Sequence, residues 1–235
     1  MVVGLMVLFA GTRARAQQED PAPFGQARQV VISAERLFGF VHAEATASQN
    51  GGPDTTTNIN AVSLLGNTLG FFTPFAAPRV GFDVFAADRF SIGASVSYFH
   101  ASESLSAPAG VTASAPTLSG FVLAPRVGFA LALGRTVSFW PRLGFTLVRL
   151  QTELTDTGIG ANPSTTETTT LYALTVEAPF VIVVSPHLFL SAAPTLDLGI
   201  GGSTSTSGGG AIAAAPSTSS KETDFGVLCG LGGFF

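Results

Sequence analysis

From residue 29 onward, apolar and polar residues alternate with a period of two, which is the pattern of β-strands with two different faces. In the segment 79–84, the large apolar side chains of Val80, Phe82 and Val84 share one face, and small or charged residues share the other. The alternation resumes in 90–101, where apolar residues alternate with Ser and Gly. These two segments predict a hairpin with one apolar face and one small, polar face.

The same pattern recurs along the chain and predicts eight strands. The hexapeptide Ala77–Phe82 is repeated letter for letter at Ala124–Phe129, and Pro141–Phe145 is a shorter version of it. The predicted strands are 29–48, 75–86, 90–101, 118–132, 137–152, 170–184, 188–201 and 222–235. Three connections between them are tight turns, and four are long segments rich in Gly, Ser, Thr, Ala or Pro, at 49–74, 102–117, 153–169 and 202–221.

Two features interrupt this regular layout. Five prolines lie inside predicted strands and each removes one ladder donor, which predicts local bulges at Pro78, Pro125, Pro141, Pro179 and Pro194. The segment 61–72 is too apolar for a plain loop, and it predicts either a short helix at the rim or an upward extension of the second strand.

The composition indicates where such strands are stable. Charged residues make up 11% of the chain, under half of the roughly 25% that is usual in soluble domains, and the mean hydropathy is +0.44. The longest apolar stretch, 178–196, is broken by three prolines and cannot form a membrane helix of about 20 residues. A secreted β-sandwich or lipocalin-like barrel is the soluble alternative, but its outer face would be polar. A closed barrel with its apolar face toward lipid satisfies every backbone group and is favoured.

Apolar residues alternate from Phe225 to the terminal Phe235, which resembles the C-terminal signal read by the barrel-assembly machinery of outer-membrane proteins. With this terminus and its strand layout, the chain resembles the small eight-stranded outer-membrane barrels of the OmpA transmembrane domain family over about residues 29–235. The resemblance implies an all-β, eight-stranded antiparallel up-and-down transmembrane β-barrel in the cell outer membrane. It also implies contacts with outer-membrane lipid and lipopolysaccharide, assembly through Phe235, and a monomer.

The N-terminal residues predict export. Residues 2–10 are apolar, and Ala14-Arg15-Ala16 forms a cleavage site of the Ala-x-Ala type, although no Lys or Arg precedes the apolar run. We expect a signal peptide at 1–16, a short flexible periplasmic tail at 17–28, and the barrel at 29–235.

The strand parity places several charges on the inward face. A lipid-facing Arg at mid-depth would cost roughly 2–4 kcal/mol, so these side chains are expected to pair inside the barrel. Strand 1 adds either Glu35 or Arg36, because Leu37-Phe38 interrupts its alternation. The other members of this predicted lumen charge network are Arg79, Asp83, Arg126, Arg142, Glu177, Asp197 and Asp224. A charged lining of a conducting pore is the alternative, but an eight-stranded barrel is only wide enough for its side chains or one small ligand.

Catalytic and ligand-binding patterns are few. His100-Ala101-Ser102 at the end of strand 3 is similar to the nucleophile region of the lipid A deacylase PagL, which would make Ser102 the nucleophile and His100 its base. Glu103 stands where that family has Asn, and a polar strand end that enters a Ser-rich loop is the simpler interpretation. The lone Cys229 excludes an internal disulfide, and no Cys/His spacing fits a metal.

The charge balance bears on nucleic-acid binding, and the features above together predict a class of function. Lys and Arg number 11 against 15 Asp and Glu, and no basic cluster offers a nucleic-acid site. We predict a non-enzymatic envelope barrel without cofactor or metal, with a structural or surface-presenting role. A narrow or gated channel for small solutes or ions is the alternative, followed by a PagL-like lipid A hydrolase.

Overall fold

The described part of the chain consists almost entirely of antiparallel β-strands. The computed structural model describes residues 24–48, 54–65, 67–68, 73–106, 112–155, 164–208 and 218–235, and the predicted signal peptide and its cleavage site lie outside them. These residues form one 3-10 turn, Pro74–Ala76, and thirteen strands: β1 (Val30–Ser48), β2 (Thr55–Leu64), β3 (Asn67–Thr68), β4 (Arg79–Ala87), β5 (Phe90–Ser106), β6 (Thr112–Phe129), β7 (Leu131–Ala132), β8 (Val137–Phe139), β9 (Arg142–Thr155), β10 (Ser164–Glu177), β11 (Phe180–Ser185), β12 (Leu188–Gly208) and β13 (Thr218–Phe234).

The sheet closes on itself as an eight-stranded barrel. Around the wall, β1, β4, β5, β6, β9, β10, β12 and β13 pair in this order, and β13 pairs with β1 to close the circle. The short strands β7, β8 and β11 extend β6, β9 and β10, respectively, toward the end of the barrel that has the tight turns. The predicted all-β, eight-stranded antiparallel barrel is therefore confirmed.

Strand β2 was predicted only in part, since an upward extension of the second strand was one of the two expectations for 61–72. It pairs with β1 from Phe38 to Ala47, directly above the section of β1 that pairs with β4. The prediction of a long loop over 49–74 was wrong, since Thr55–Leu64 adds a strand to the wall. The apolar segment 61–72 is not a rim helix in its described part, because its first four residues end β2. Its residues 66 and 69–72 lie outside the described residues.

The other long loops are also shorter than predicted. Strands β5 and β6 continue to Ser106 and from Thr112, and β12 and β13 continue to Gly208 and from Thr218. The Ser/Thr-rich segments pair along these extensions, for example Thr165–Thr170 with Ser203–Gly208. Thr is well suited to strands because it is β-branched, so low hydrophobicity alone does not end a ladder.

The prolines have less effect than predicted. The wall is interrupted at Pro141 and Pro179, and Pro78 precedes β4, but the pairing register continues unchanged across Pro125 and Pro194. A strand residue donates its N–H to only one neighbour, so the pairs on either side hold the register when that donor is missing. The expected bulges at Pro125 and Pro194 were wrong.

The two faces of the wall differ as the sequence predicts. Large apolar side chains point outward and are exposed all around the barrel, including Phe82, Ile92, Phe121, Leu190 and Val227. Polar and charged residues at alternate positions are buried inside. Among the described residues, no helix is long and apolar enough to cross a membrane.

Candidate functional site: the barrel interior

A bulge in β1 places two consecutive charged residues inside the barrel. Arg36 has a φ of +56°, and the pairing of β1 with β13 shifts its register between Ala34 and Phe38. From Ala34 to Phe38 the strand advances four residues while β13 advances two, and both Glu35 and Arg36 are buried within this bulge. The sequence left a choice between these two residues, and the bulge makes both of them face the interior.

Arg126 lies at the centre of the charged cluster. Its guanidinium makes two bidentate contacts, with Glu35 at 2.6 and 2.7 Å and with Asp83 at 3.0 and 2.5 Å. The same group lies 3.6 Å from Glu177. Paired N–H donors in a planar fork match two carboxylates in this way, and the contacts are strong because both partners are charged.

The ion pairs continue around the lumen without a break. Arg142 bridges Glu35 and Glu177, with both distances at 2.7 Å. Arg36 then bridges Glu177 at 2.8 Å and Asp197 at 2.7 Å. The resulting chain of ion pairs runs Asp83, Arg126, Glu35, Arg142, Glu177, Arg36, Asp197. Every one of these side chains is at most 8% exposed, so the network lies in the interior and not at the barrel mouth.

Two of the predicted residues lie outside this chain of ion pairs. Asp224 is buried and accepts a hydrogen bond from the hydroxyl of Thr73, while its Oδ1 has no hydrogen-bond partner. Arg79 is buried and forms no ion pair with the described residues. Its Nη2 donates to the Phe75 carbonyl at 3.0 Å. The structure thus places all seven predicted residues inside the barrel and joins five of them by ion pairs.

The repeated hexapeptide explains how so many long side chains fit. In each copy the Arg points inward, and so does the Gly two residues later. A Cβ on Gly81 would lie 2.6 Å from Nη2 of Arg126, and one on Gly144 would lie 3.0 Å from Cβ of Arg126. These glycines, on β4 and β9, therefore leave space that the Arg126 side chain of β6 occupies.

Below the network, at the tight-turn end, an aromatic cluster fills the lumen. Phe24 is 7% exposed and packs edge-on against Phe85, Trp140, Phe189 and Phe234, with ring centroids 5.2 to 5.6 Å apart. The end of the predicted flexible tail is thus held inside the barrel. This lower cluster consists of Phe24, Val31, Phe85, Ala130, Trp140, Val181, Val183, Phe189 and Phe234.

Above the network, a segment of the chain itself enters the lumen. Residues Thr73–Ala77, which we call the lumen segment, are all buried. Its Phe75 packs in an upper cluster with Val122, Val148, Leu171 and Ala173, and Arg36 and Arg79 both donate to the Phe75 carbonyl. The prediction of a strand from residue 75 was wrong, because Pro74 within this segment and Pro78 directly after it remove two backbone donors.

The interior therefore has three stacked layers with little space between them. A cavity of about 10 Å³ between Arg79, Arg126 and Glu177 has room for a single particle the size of water. No group of three or more His, Cys, Asp or Glu in the described residues could hold a metal ion. Chemically, the arrangement of the described residues can fix the barrel shape, and this cavity is too small for an organic ligand.

The PagL-like residues lie far from this interior. His100 is on the outer face of β5 and exposed, as the strand parity predicts, and its imidazole makes no hydrogen bond with a described residue. The side chains of Ser102 and Glu103 lie outside the described residues.

Several interior residues were not identified from the sequence. Thr146, Thr175, Ser33 and Trp140 link the layers, with Thr175 donating to Asp197 at 2.6 Å and Trp140 to Ser91 at 3.0 Å. The strand alternation predicts that these side chains point inward. It does not predict which neutral inward side chains form hydrogen bonds within the network and which only fill space. The lumen segment had one usable signal, which is the pair of prolines Pro74 and Pro78.

Comparisons with known proteins support the fold, but they identify neither a family nor a function. No protein-family model matches the chain, and neither does any curated protein sequence. Among solved structures, the outer-membrane protein OprG from Pseudomonas aeruginosa matches with a TM-score of 0.51 and 12% identity, over 89% of this chain and 97% of that chain. Ail, the attachment invasion locus protein of Yersinia pestis, matches with a TM-score of 0.40 and 9% identity over 89% and 100%. The outer-membrane protease OmpT from Escherichia coli matches with a TM-score of 0.45 and 8% identity over 88% and 97%. The match to OprG shows that the chain has the fold of outer-membrane β-barrels.

Proposed function

We propose that the chain is an integral outer-membrane protein of the Gram-negative envelope with a non-enzymatic role, either structural or in presenting its long strand ends at the cell surface. The observation that carries this proposal is the filled interior. The lower cluster, the charged network and the lumen segment block the described barrel at three successive depths, so a solute has no continuous path. An eight-stranded barrel packed in this way is suited to act as a rigid membrane anchor.

The outer surface supports the membrane location. Its belt of exposed apolar side chains would contact the acyl chains of outer-membrane lipid and lipopolysaccharide, and burial in lipid removes that surface from water. The wall closes within one chain through the pairing of β13 with β1, which supports a monomer. The Ser/Thr-rich extensions continue beyond the apolar belt and would be the parts presented outside.

Export and assembly complete the proposal. A signal peptide would be removed after Ala16, and the barrel-assembly machinery would recognise the chain through Phe235. Phe235 is 68% exposed, and its backbone pairs with that of Val30 through hydrogen bonds of 2.9 and 3.0 Å. The terminal aromatic ring is thus on the outer surface of the barrel, where another protein can contact it.

Conductance in planar lipid bilayers tests the proposal against the channel alternative. Because all three layers fill the lumen, we expect no ion-conducting steps from the refolded protein, while a wide porin added to the same membranes gives them. Reproducible conductance steps from the wild-type protein would contradict a filled barrel.

Mass spectrometry of lipid A tests the enzymatic alternative. Cells that produce the protein should contain the same lipid A as cells that do not. Loss of an acyl chain that depends on Ser102, and is abolished in Ser102→Ala, would show that the protein is a hydrolase.

A further inference from the structure

Asp224 differs from the other buried carboxylates of the described interior. It is 3% exposed and forms no ion pair with a described cation, while each of the others forms at least one ion pair with an arginine; these are Glu35, Asp83, Glu177 and Asp197. Its Oδ2 accepts a single hydrogen bond from the hydroxyl of Thr73, and its Oδ1 has no partner. An ionised carboxylate has about four lone-pair positions to satisfy, so these contacts are too few for a buried negative charge.

The groups around Asp224 make a charge there less favourable still. Its register partner on β12 is another acid, Asp197, and Glu222 lies two residues away on the same face of β13, where it is half-buried. The cation that acts on this position is Arg36 of β1, which is already bound to Asp197 and Glu177. The lumen segment contributes no titratable group. Asp224 therefore faces two acids and no cation of its own.

The charge balance of the described interior has the same excess. It contains five buried carboxyl groups and four buried arginines, so one proton on a carboxyl group would make the charges equal. A metal ion is not the counter-charge, because no group of three or more His, Cys, Asp or Glu among the described residues could hold one. A proton needs no cavity, and a buried carboxyl group without a cation takes one up because the neutral form is less costly to bury.

We propose that Asp224 binds one proton in the folded barrel, keeps it at neutral pH, and holds Thr73 of the lumen segment as a neutral carboxyl group. Loss of this proton would place two carboxylates at paired positions of neighbouring strands, where Cβ atoms are about 4.5–5.5 Å apart and like charges destabilise the sheet. This inference goes beyond the proposed function, because the proton could be bound whether the barrel is an anchor, a channel or an enzyme.

Infrared spectroscopy of the full chain refolded in lipid vesicles tests the proton directly. At neutral pH, the wild-type protein should show the C=O stretching band of a protonated carboxyl group. The band should be absent in Asp224→Asn and present in Glu222→Gln. A wild-type spectrum without this band would overturn the proposal, and so would a band that is lost in Glu222→Gln but kept in Asp224→Asn.

The pH dependence of unfolding tests the coupling to stability. An Asp in the unfolded chain releases its proton at about pH 3.9, while the folded barrel keeps the proton on Asp224. Unfolding then releases one proton, so rising pH favours the unfolded state until Asp224 itself ionises. Between about pH 5 and 7, the ratio of the unfolding equilibrium constants of wild type and Asp224→Asn should therefore rise about tenfold per pH unit.

A matched variant and the fold of Asp224→Asn itself complete the test. The same ratio measured with Asp54→Asn, which changes an exposed Asp, should not depend on pH. A ratio for Asp224→Asn that is equally constant would overturn the proposal. Because Asn has nearly the shape of a neutral carboxyl group, Asp224→Asn should refold at mildly acidic pH as completely as the wild type. Failure to refold there would show that the barrel needs a negative charge at this position, which would also overturn the proposal.

Discussion

At the scale of single residues, Arg126 connects more of the interior than any other described side chain. Its two bidentate contacts and its approach to Glu177 join carboxylates from β1, β4 and β10. Removing Arg126 alone leaves Asp83 buried without an ion pair and Glu35 with one ion pair fewer, which is more costly than the loss of one exposed ion pair.

Replacing this residue should therefore destabilise the barrel strongly. Arg126→Leu should lower the free energy of unfolding by about 3–5 kcal/mol, because it leaves Glu35 and Asp83 buried with fewer partners. Urea titration of the refolded protein in lipid vesicles measures this difference, with the exposed Arg135→Leu as the matched control. A loss below about 1 kcal/mol would mean that water reaches the network and replaces the missing contacts.

The glycines of the repeated hexapeptide give a second prediction at this scale. A Cβ on Gly81 would lie 2.5 Å from Ser33 Oγ, 2.6 Å from Arg126 Nη2 and 2.8 Å from Glu35 Oε1. Gly81→Ala should therefore cost about 1–3 kcal/mol in unfolding free energy, since the network must move to admit the methyl group. In Gly134→Ala the new Cβ meets nothing within 4 Å, so this variant should unfold near the wild-type denaturant concentration. Equal midpoints for the two variants would show that the network is loosely packed.

How far these residues could be predicted depends on the range of the interactions. Strand parity is local, so the inward positions of Asp83, Arg126, Arg142 and Glu177 follow from a few neighbouring residues. The bulge at Arg36 does not, because its positive φ is stable only when the guanidinium finds Glu177 and Asp197 on strands far along the chain. No local pattern contains that information.

At the scale of elements, the segment before β1 acts as part of the lower cluster. Gly25 accepts a hydrogen bond from the Arg89 backbone, and Ala27 donates to Asp88. These contacts fix the segment across the mouth of the barrel, so that Phe24 covers Trp140 with ring centroids 5.2 Å apart.

The fluorescence of Trp140, the single tryptophan of the chain, reports on this contact. Phe24→Ala should open the lower cluster to water, shift the tryptophan emission to longer wavelength and lower the free energy of unfolding by about 3–5 kcal/mol. Phe38→Ala removes an aromatic ring from the outer face, where Phe38 is 52% exposed, and should leave the emission wavelength unchanged. An unshifted spectrum for Phe24→Ala would mean that the remaining cluster keeps Trp140 dry.

The elements that the sequence did not predict share one cause. Strand β2 and the lumen segment lie close together in the sequence. Their conformation depends on contacts with the barrel wall and with the barrel interior, and not on their own pattern of apolar and polar residues. Apart from Thr73 the residues of the lumen segment are apolar, as in a strand, and Pro74 and Pro78 are the local signal against one. That the segment enters the barrel follows from the contact of Phe75 with Val122 and Leu171. Tertiary packing overrides local propensity in such segments.

At the scale of the whole molecule, the barrel has two different ends. The tight turns near Asp88, Arg135 and His187 lie at the end with the lower cluster, and the Ser/Thr-rich strand extensions lie at the other. We propose that the barrel-assembly machinery reads the terminal Phe in the periplasm. Because the strand number is even, the tight turns should then face the periplasm and the extensions the outside.

Epitope accessibility on intact cells tests this orientation. An epitope inserted in 209–217, between β12 and β13, should bind antibody added to whole cells. The same epitope after Asp88 should bind only after the outer membrane is permeabilised, which makes it the internal control. Labelling of the Asp88 epitope on intact cells would reverse the orientation even though the strand count is correct.

The pairing of Val30 with Phe235 has a further consequence for the connectivity of the chain. Since the two ends of the sheet are hydrogen-bonded neighbours, a short linker from Phe235 back to the segment before Phe24 could join them, and the chain could be reopened at Gly134 as a circular permutant. The permutant would keep every wall pairing outside the reopened turn, so it should refold in detergent. In cells it would present Phe235 in the middle of the chain and not at its end. Folding in detergent without assembly in cells would then separate the contribution of the terminal Phe to barrel closure from its proposed recognition by the assembly machinery.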